Sequence, residues 1–120
     1  MRVLIAPQEF KESLTARQAS AAIKHGIQKA CPGWEIDTLP MSDGGPGFLD
    51  VISTHISSSF NPVQVQNSLG DMVYANYLRL SEKNIVLIEA AKANGLALIP
   101  QHKRNPITSG SAGVGDLINA

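Results

Sequence analysis

Val3-Leu4-Ile5-Ala6 is a continuous apolar run closed by Pro7. Such a run predicts a strand buried on both faces, as in a parallel sheet. A polar loop follows from Gln8 to Leu14. Thr15 and Gln18 then have the spacing of a capping box, with Ser13 as a rival cap. Ala19, Ala22, Ile23, Gly26, Ile27 and Ala30 recur at helical spacing, and Pro32-Gly33 stops the helix. Glu35 to Leu39 predicts a second strand, which runs into Pro40-Met41-Ser42-Asp43-Gly44-Gly45-Pro46-Gly47. Leu49, Val51, Ile52 and Ile56 mark a further helical stripe. The order is β-loop-α-β-loop-α. A crossover of this kind makes the two strands parallel and puts both following loops on one side of the sheet.

The texture changes at Ser57-Ser58-Ser59. Val63 and Val65, then Tyr74, Asn76, Leu78 and Leu80, alternate around Gly70-Asp71, which predicts an antiparallel hairpin. Ile85 to Ile88 reads as a further buried strand ending in Glu89-Ala90-Ala91, and Lys92 to Pro100 as a short helical turn followed by an apolar segment. Thr108 to Gly115 is a glycine- and hydroxyl-rich loop running into a helix start. The class is α/β, with a domain break near residue 60. The predicted last helix has hardly begun at Ala120, so the chain is expected to be a fragment, or a truncated gene product, of something longer.

Composition narrows the classes. The chain has 120 residues, 43% hydrophobic and 17% charged, as expected of an ordered globular protein. Ten basic residues balance ten acidic ones. No basic run points to nucleic acid, and no segment reaches the ~20 apolar residues of a spanning helix. Cys31 is the only cysteine, so no intramolecular disulfide forms and a reducing, cytoplasmic setting is expected. Its place before Pro32-Gly33, with no histidine near in sequence, makes a packing role the expected one. His25, His55 and His102 lack metal-ligand spacing and read as surface or packing residues.

Three loops carry candidate chemistry: residues 7–15, 41–47 and 108–115. Each precedes a helix, whose first N–H groups and partial positive charge suit anions. Lys11 is a mobile cation of the type used on phosphates. Asp43 stands at the head of a glycine turn, either as a functional carboxylate or as a plain cap. Glu89 is a strand-end carboxylate, functional or held in a local salt bridge. Neither G-x-x-x-x-G-K-[ST] nor G-x-G-x-x-G occurs. Residue chemistry alone reaches an anion-binding α/β domain, with phosphoryl groups as one candidate for the anion, and stops there.

Four blocks go further. Ala6-Pro7-Gln8-Glu9-Phe10-Lys11-Glu12-Ser13-Leu14-Thr15-Ala16 resembles A-P-D-S-F-K-x-S-L-[ST]-A of the bacterial glycerate kinases. Leu39 to Phe48 is similar to that family's L-P-[ML]-[AS]-D-G-G-E-G-T. Ile88 to Leu96 resembles I-E-M-A-x-A-S-G-L, and Asn105 to Ile118 resembles N-P-L-x-x-[ST]-S-Y-G-[VT]-G-E-L-I. The resemblance implies a flavodoxin-like domain into which a restriction-endonuclease-like α/β domain is inserted. Residues 1–60 would then be an incomplete flavodoxin-like segment and residues 61–120 the beginning of the insertion.

It also implies ATP-dependent phosphorylation of glycerate with Mg²⁺, and a small-molecule substrate as the partner, with no nucleic acid and no membrane. Lys11 and Asp43 would be catalytic. Ser13, Gly44, Gly45, Ser111 and Gly113 would bind substrate or phosphate, and Asp43 and Glu89 would hold the metal. A 120-residue piece alone is expected to be inactive. The rival reading is a non-catalytic remnant that at most binds an anion. A flavin or nucleotide binder of flavodoxin type is a third class, not expected. Departures from the family blocks are Gln8 for Asp, Pro46 for Glu, Phe48 for a hydroxyl residue, and Gly110 and Ala112 for Thr or Ser and Tyr or Phe.

Overall fold

A computed structural model describes residues 1–11 and 13–120; Glu12, inside the first family-like block, lies outside the described residues. The chain divides into two compact units, Met1–Val51 and Ile52–Ala120. It is a mixed α/β protein with, among the described residues, one parallel and one antiparallel sheet.

In the first unit β1 (Arg2–Ile5) pairs in parallel with β2 (Glu35–Thr38), in the register Arg2↔Glu35 to Ile5↔Thr38. The crossover between them is α1 (Ala16–Ala30). Its start is fixed locally. The Gln18 N–H donates to Thr15 Oγ1 at 3.2 Å, and the Thr15 N–H donates to Gln18 Oε1 at 2.9 Å. Each bond satisfies a donor that the helix end would leave without a partner. Thr15 is therefore the cap, and Ser13 is not.

The buried face of α1 is Ala16, Ala19 and Ser20, with Ile27 half-buried. Ala22, Ile23, Gly26 and Ala30, expected in the apolar stripe, are exposed. A serine takes a core position because its hydroxyl donates to the Ala16 carbonyl at 2.9 Å within the helix. Small residues at 16, 19 and 20 give α1 a flat face toward the strands.

Burial of β1 on both faces does not hold. Ile5 is buried, but Leu4 is 62% exposed. One crossover helix covers one face of a two-stranded sheet, and side chains alternate between faces. The open face carries the ion pair of Arg2 Nε with Asp37 Oδ2 at 2.8 Å. Both partners are solvated, so the pair contributes little.

A short helix, α2 (Phe48–Ser53), runs through the boundary of the units. It buries Leu49 and Val51. Ile56, expected on its stripe, lies beyond the helix end and is exposed.

In the second unit β3 (Ser58–Gln66) and β4 (Met72–Leu80) form an antiparallel hairpin, and β5 (Val86–Ile88) pairs antiparallel with β4. The turn is tied by Asn67, whose Oδ1 accepts from the Leu69 and Asp71 N–H groups. Gly70, at φ 86°, supplies the left-handed step.

Then come α3 (Ala91–Asn94), two 3₁₀ turns at Leu96–Leu98 and Gln101–Lys103, and α4 (Ala112–Asn119). The core is Val65, Ala75, Ala93 and Leu117, flanked by Val63, Val73 and Ile88. The inward residues at the start of β4 are thus Val73 and Ala75, and Tyr74 is 78% exposed. Leu78 and Leu80, on the Tyr74 side of the strand, are buried. β4 is covered on different faces at its two ends, which a single alternation could not reveal. Ile85 and Val86 are exposed, because β5 is a three-residue edge strand rather than a central one.

Candidate active site

Parallel pairing fixes where the first two candidate loops go. The ladder continues past the strand ends: the Leu39 N–H donates to the Ile5 carbonyl at 2.8 Å and the Met41 N–H to the Pro7 carbonyl at 2.9 Å. The loops after β1 and β2 therefore leave the sheet side by side. Together with the first turns of α1 and α2 they line an open cavity of about 620 Å³. Its charged lining is Glu9, Lys11, Arg17, Asp43 and Asp50.

The 41–47 loop shapes itself. The Gly44 N–H donates to Ser42 Oγ at 3.1 Å, and the Gly45 N–H donates to Asp43 Oδ1 at 2.9 Å. Short polar side chains close such turns onto their own backbone two residues on. Gly44 and Gly47 have φ of 93° and 82°, a conformation that other residues rarely adopt. A Cβ at Gly45 would lie 3.0 Å from Asp43 Oδ1, so that side chain would have to give way. Asp43 is thus a turn cap through one oxygen. Its other oxygen has no hydrogen bond among the described residues.

The cavity brings Lys11, Asp43 and Gly45 together. Ser13 and Gly44 are not in its lining. Ser13 sits in a tight turn in which the Phe10 N–H donates to the Leu14 carbonyl at 2.8 Å and the Leu14 N–H to the Phe10 carbonyl at 3.0 Å. The Gly44 and Gly45 N–H groups, expected to face a ligand, are directed at Ser42 and Asp43 in this structure. Sequence reasoning missed Glu9, Arg17 and Asp50. Their signal was position: each lies on a candidate loop or within the first turn of the helix after it.

Glu89, Ser111 and Gly113 belong to the second unit. Glu89 follows β5 and is 2% exposed. Ser111 is the exposed residue before α4 and makes no side-chain cap. Gly113 lies in the first turn of α4, so the expected 108–115 loop is helix from residue 112 onward. A Cβ at Gly113 would overlap the Gln66 carbonyl and stand 3.2 Å from Ala93 Cβ. Glycine lets α4 seat directly on the end of β3, where Asp116 Oδ2 accepts the Gln66 N–H at 3.0 Å. The segment before α4 is strapped down by Ser68 and Asn94. The Gly110 N–H donates to the Ser68 carbonyl at 2.9 Å, and Asn94 Nδ2 donates to the Gly110 carbonyl at 3.1 Å.

Among the described residues no three His, Cys, Asp or Glu side chains converge as a metal cage. Mg²⁺ rarely uses one; it takes one or two carboxylates, waters and substrate phosphates. The hard oxygens of Asp43, Asp50 and Glu9 suit it. A cavity of this volume is within the usual range for small-molecule sites. His25, His55 and His102 are exposed, and Cys31 is free and half-buried. Among the described residues no helix is long and apolar enough to cross a membrane.

Comparison with known proteins gives one family. The model of the glycerate kinase family matches residues 3–120. The glycerate kinase of Halalkalibacterium halodurans is 40% identical over 116 residues, which cover 97% of this chain and 30% of that protein. The glycerate 2-kinase of Escherichia coli is 33% identical over 118 residues, 98% of this chain and 31% of its own length. A crystal structure assigned to glycerate kinase 2 from Salmonella typhimurium LT2 superposes with a TM-score of 0.73 at 34% identity. It is matched over 99% of this chain and 32% of that one. The chain spans less than a third of the length of these relatives.

Proposed function

The chain belongs to the glycerate kinase family, and from that premise we propose that it carries part of the site of an ATP-dependent kinase acting on glycerate. The observation that supports this most is the convergence of Lys11 and Asp43 on one cavity at the carboxyl ends of parallel strands. Open α/β sheets bind their ligands there.

Bound Mg-ATP would supply the γ-phosphoryl group and a metal charge that screens it. The roles assigned to the chain are binding and orientation. Lys11, exposed and without an ion pair among the described residues, takes an anionic group, phosphate or the substrate carboxylate. The second oxygen of Asp43 is available to the metal or to the proton of the attacking hydroxyl. Gly45 keeps the backbone clear beside that carboxylate. Ser13, Gly44, Ser111 and Gly113 are assigned to substrate or phosphate binding on the resemblance alone, as Glu89 is to the metal. Gly44 acts foremost by allowing the left-handed turn.

We assign the parallel unit, Met1–Val51, to a flavodoxin-like domain and the hairpin unit, Ile52–Ala120, to the start of an inserted endonuclease-like domain; the compact units part after Val51, ahead of the residue 60 expected from the sequence. The lone Cys31 fits a cytoplasmic protein.

Amide NMR of the chain, titrated with ATP and separately with D-glycerate, tests the reading. Shifts confined to residues 8–17 and 41–51 are expected. Absence of any shift there with both ligands would overturn it.

A further inference from the structure

Asn94-Gly95 is the one Asn-Gly step in the sequence. The family block has Ser-Gly at this place, so the asparagine is a feature of this chain. In such a step the glycine nitrogen attacks the side-chain carbonyl carbon of the asparagine. The new bond joins Gly95 N to Asn94 Cγ, the Cγ–Nδ2 bond breaks, and Nδ2 leaves as ammonia with the proton of the Gly95 N–H. Water then opens the succinimide ring at either carbonyl, leaving aspartate or isoaspartate. Nothing is oxidised or reduced. Glycine admits the ring because it has no Cβ to hinder the approach.

The fold requires both halves of this labile pair. A Cβ at Gly95 would overlap the Ala91 carbonyl. Asn94 Nδ2 donates to the Gly110 carbonyl at 3.1 Å and to Ser68 Oγ at 3.3 Å, which ties the segment before α4 to the hairpin turn.

The same contacts deny the reaction what it needs. Attack within a chain demands that the reacting atoms approach in line. The Gly95 N–H is turned to the Ala91 carbonyl, to which it donates at 3.0 Å. The leaving amide is held on Ser68 and Gly110, so Cγ cannot swing toward the nitrogen without breaking both bonds. Negative charge would develop on Oδ1 as the nitrogen adds, and donors aimed at such an oxygen are what stabilise it. Asn94 Oδ1 is buried and accepts no hydrogen bond among the described residues.

We propose that Asn94-Gly95 is a covalent modification site gated by the fold. It is closed while Asn94 is tied to Ser68 and Gly110, and it cyclises and hydrolyses once the tie opens. Refolding does not undo the change. Aspartate has no donor for the Gly110 carbonyl, and isoaspartate adds a methylene to the backbone ahead of Gly95. The strap before α4 then fails to re-form, so an episode of unfolding is recorded in the covalent structure.

The test incubates the chain at neutral pH, folded in buffer and unfolded in urea. Peptide mass spectrometry with electron-transfer fragmentation reads asparagine, aspartate and isoaspartate at position 94. Conversion in buffer should be at least about tenfold slower than in urea, because the rate follows the population of the open form. Equal rates, or no conversion in urea, would overturn the proposal. Ser68→Ala removes one anchor of Nδ2. It should speed conversion in buffer and leave the rate in urea unchanged; an unchanged rate in buffer would count against the tie as the gate. A third measurement needs no variant. Chain held in urea and then refolded should lose hydrogen-exchange protection at the Gly110 amide in proportion to the converted fraction. Full protection despite conversion would show that unfolding leaves no lasting mark on the strap.

Discussion

The amide of Met41 donates to the carbonyl of Pro7 at 2.9 Å. Both residues lie beyond the ends of their strands, so the bond carries parallel pairing into the loops. It sets the spacing between the segment bearing Lys11 and the segment bearing Asp43. Precise placement of such groups is what a phosphoryl-transfer site requires of its protein.

Asp43→Asn separates the two roles of this side chain. An amide oxygen still accepts from the Gly45 N–H, so the turn survives. The midpoint of thermal unfolding should stay within measurement error. The ATP- or Mn²⁺-induced changes at residues 41–47 should fall by about tenfold or more. A large stability loss with ligand responses intact would make Asp43 only a cap.

Gly45→Ala attacks the same turn from the other side. Its Cβ would stand 3.0 Å from Asp43 Oδ1, so the carboxylate must give way. The expected cost is about 1 kcal/mol, the scale of one such hydrogen bond, together with weaker ligand response. Urea unfolding and the NMR titration measure the two parts. Equal ligand affinity in the variant would show that the Asp43 orientation is unimportant.

Gly113→Ala should be the more damaging alanine. Here the added carbon meets backbone, the Gln66 carbonyl, rather than the end of a side chain. Either α4 or the end of β3 must move. Overpacking of this kind costs roughly 1–3 kcal/mol, read as a lower urea midpoint. A neutral result would mean that α4 is loosely seated.

Thr15→Ala removes half of the capping box at α1. A loss of about 1 kcal/mol is expected. Thr15→Ser should recover most of it. Helix content by circular dichroism and the unfolding midpoint report both.

Residues 1–120 alone should give no coupled ADP release with D-glycerate and Mg-ATP. The relatives named glycerate kinase and glycerate 2-kinase are about three times as long as this chain. Turnover by the chain alone would place the whole catalytic apparatus within it.

Legibility from sequence follows the range of the interactions involved. The parallel β1–β2 pair, its crossover and the Thr15–Gln18 box were readable because each depends on neighbours in sequence. The hairpin was readable from its turn. Ser20 in the core was not, because its hydroxyl is satisfied by a backbone group that only the formed helix provides. The exposed Leu4 and Tyr74 were misjudged because burial depends on which face a distant element covers. At the site, Lys11 and Asp43 could be paired from topology. The closure of Gly44 and Gly45 onto Ser42 and Asp43 could not, since the same residues suit an anion loop.

Pro62 sits in the middle of β3, which borders the three-stranded sheet. It has no N–H to offer, so a strand from another molecule approaching this border would find the row of donors interrupted at its centre. The hairpin is thereby protected against edge-to-edge growth. Concentrated samples of the chain should resist β-type aggregation on this side, and Pro62→Val should shorten the lag before they turn cloudy.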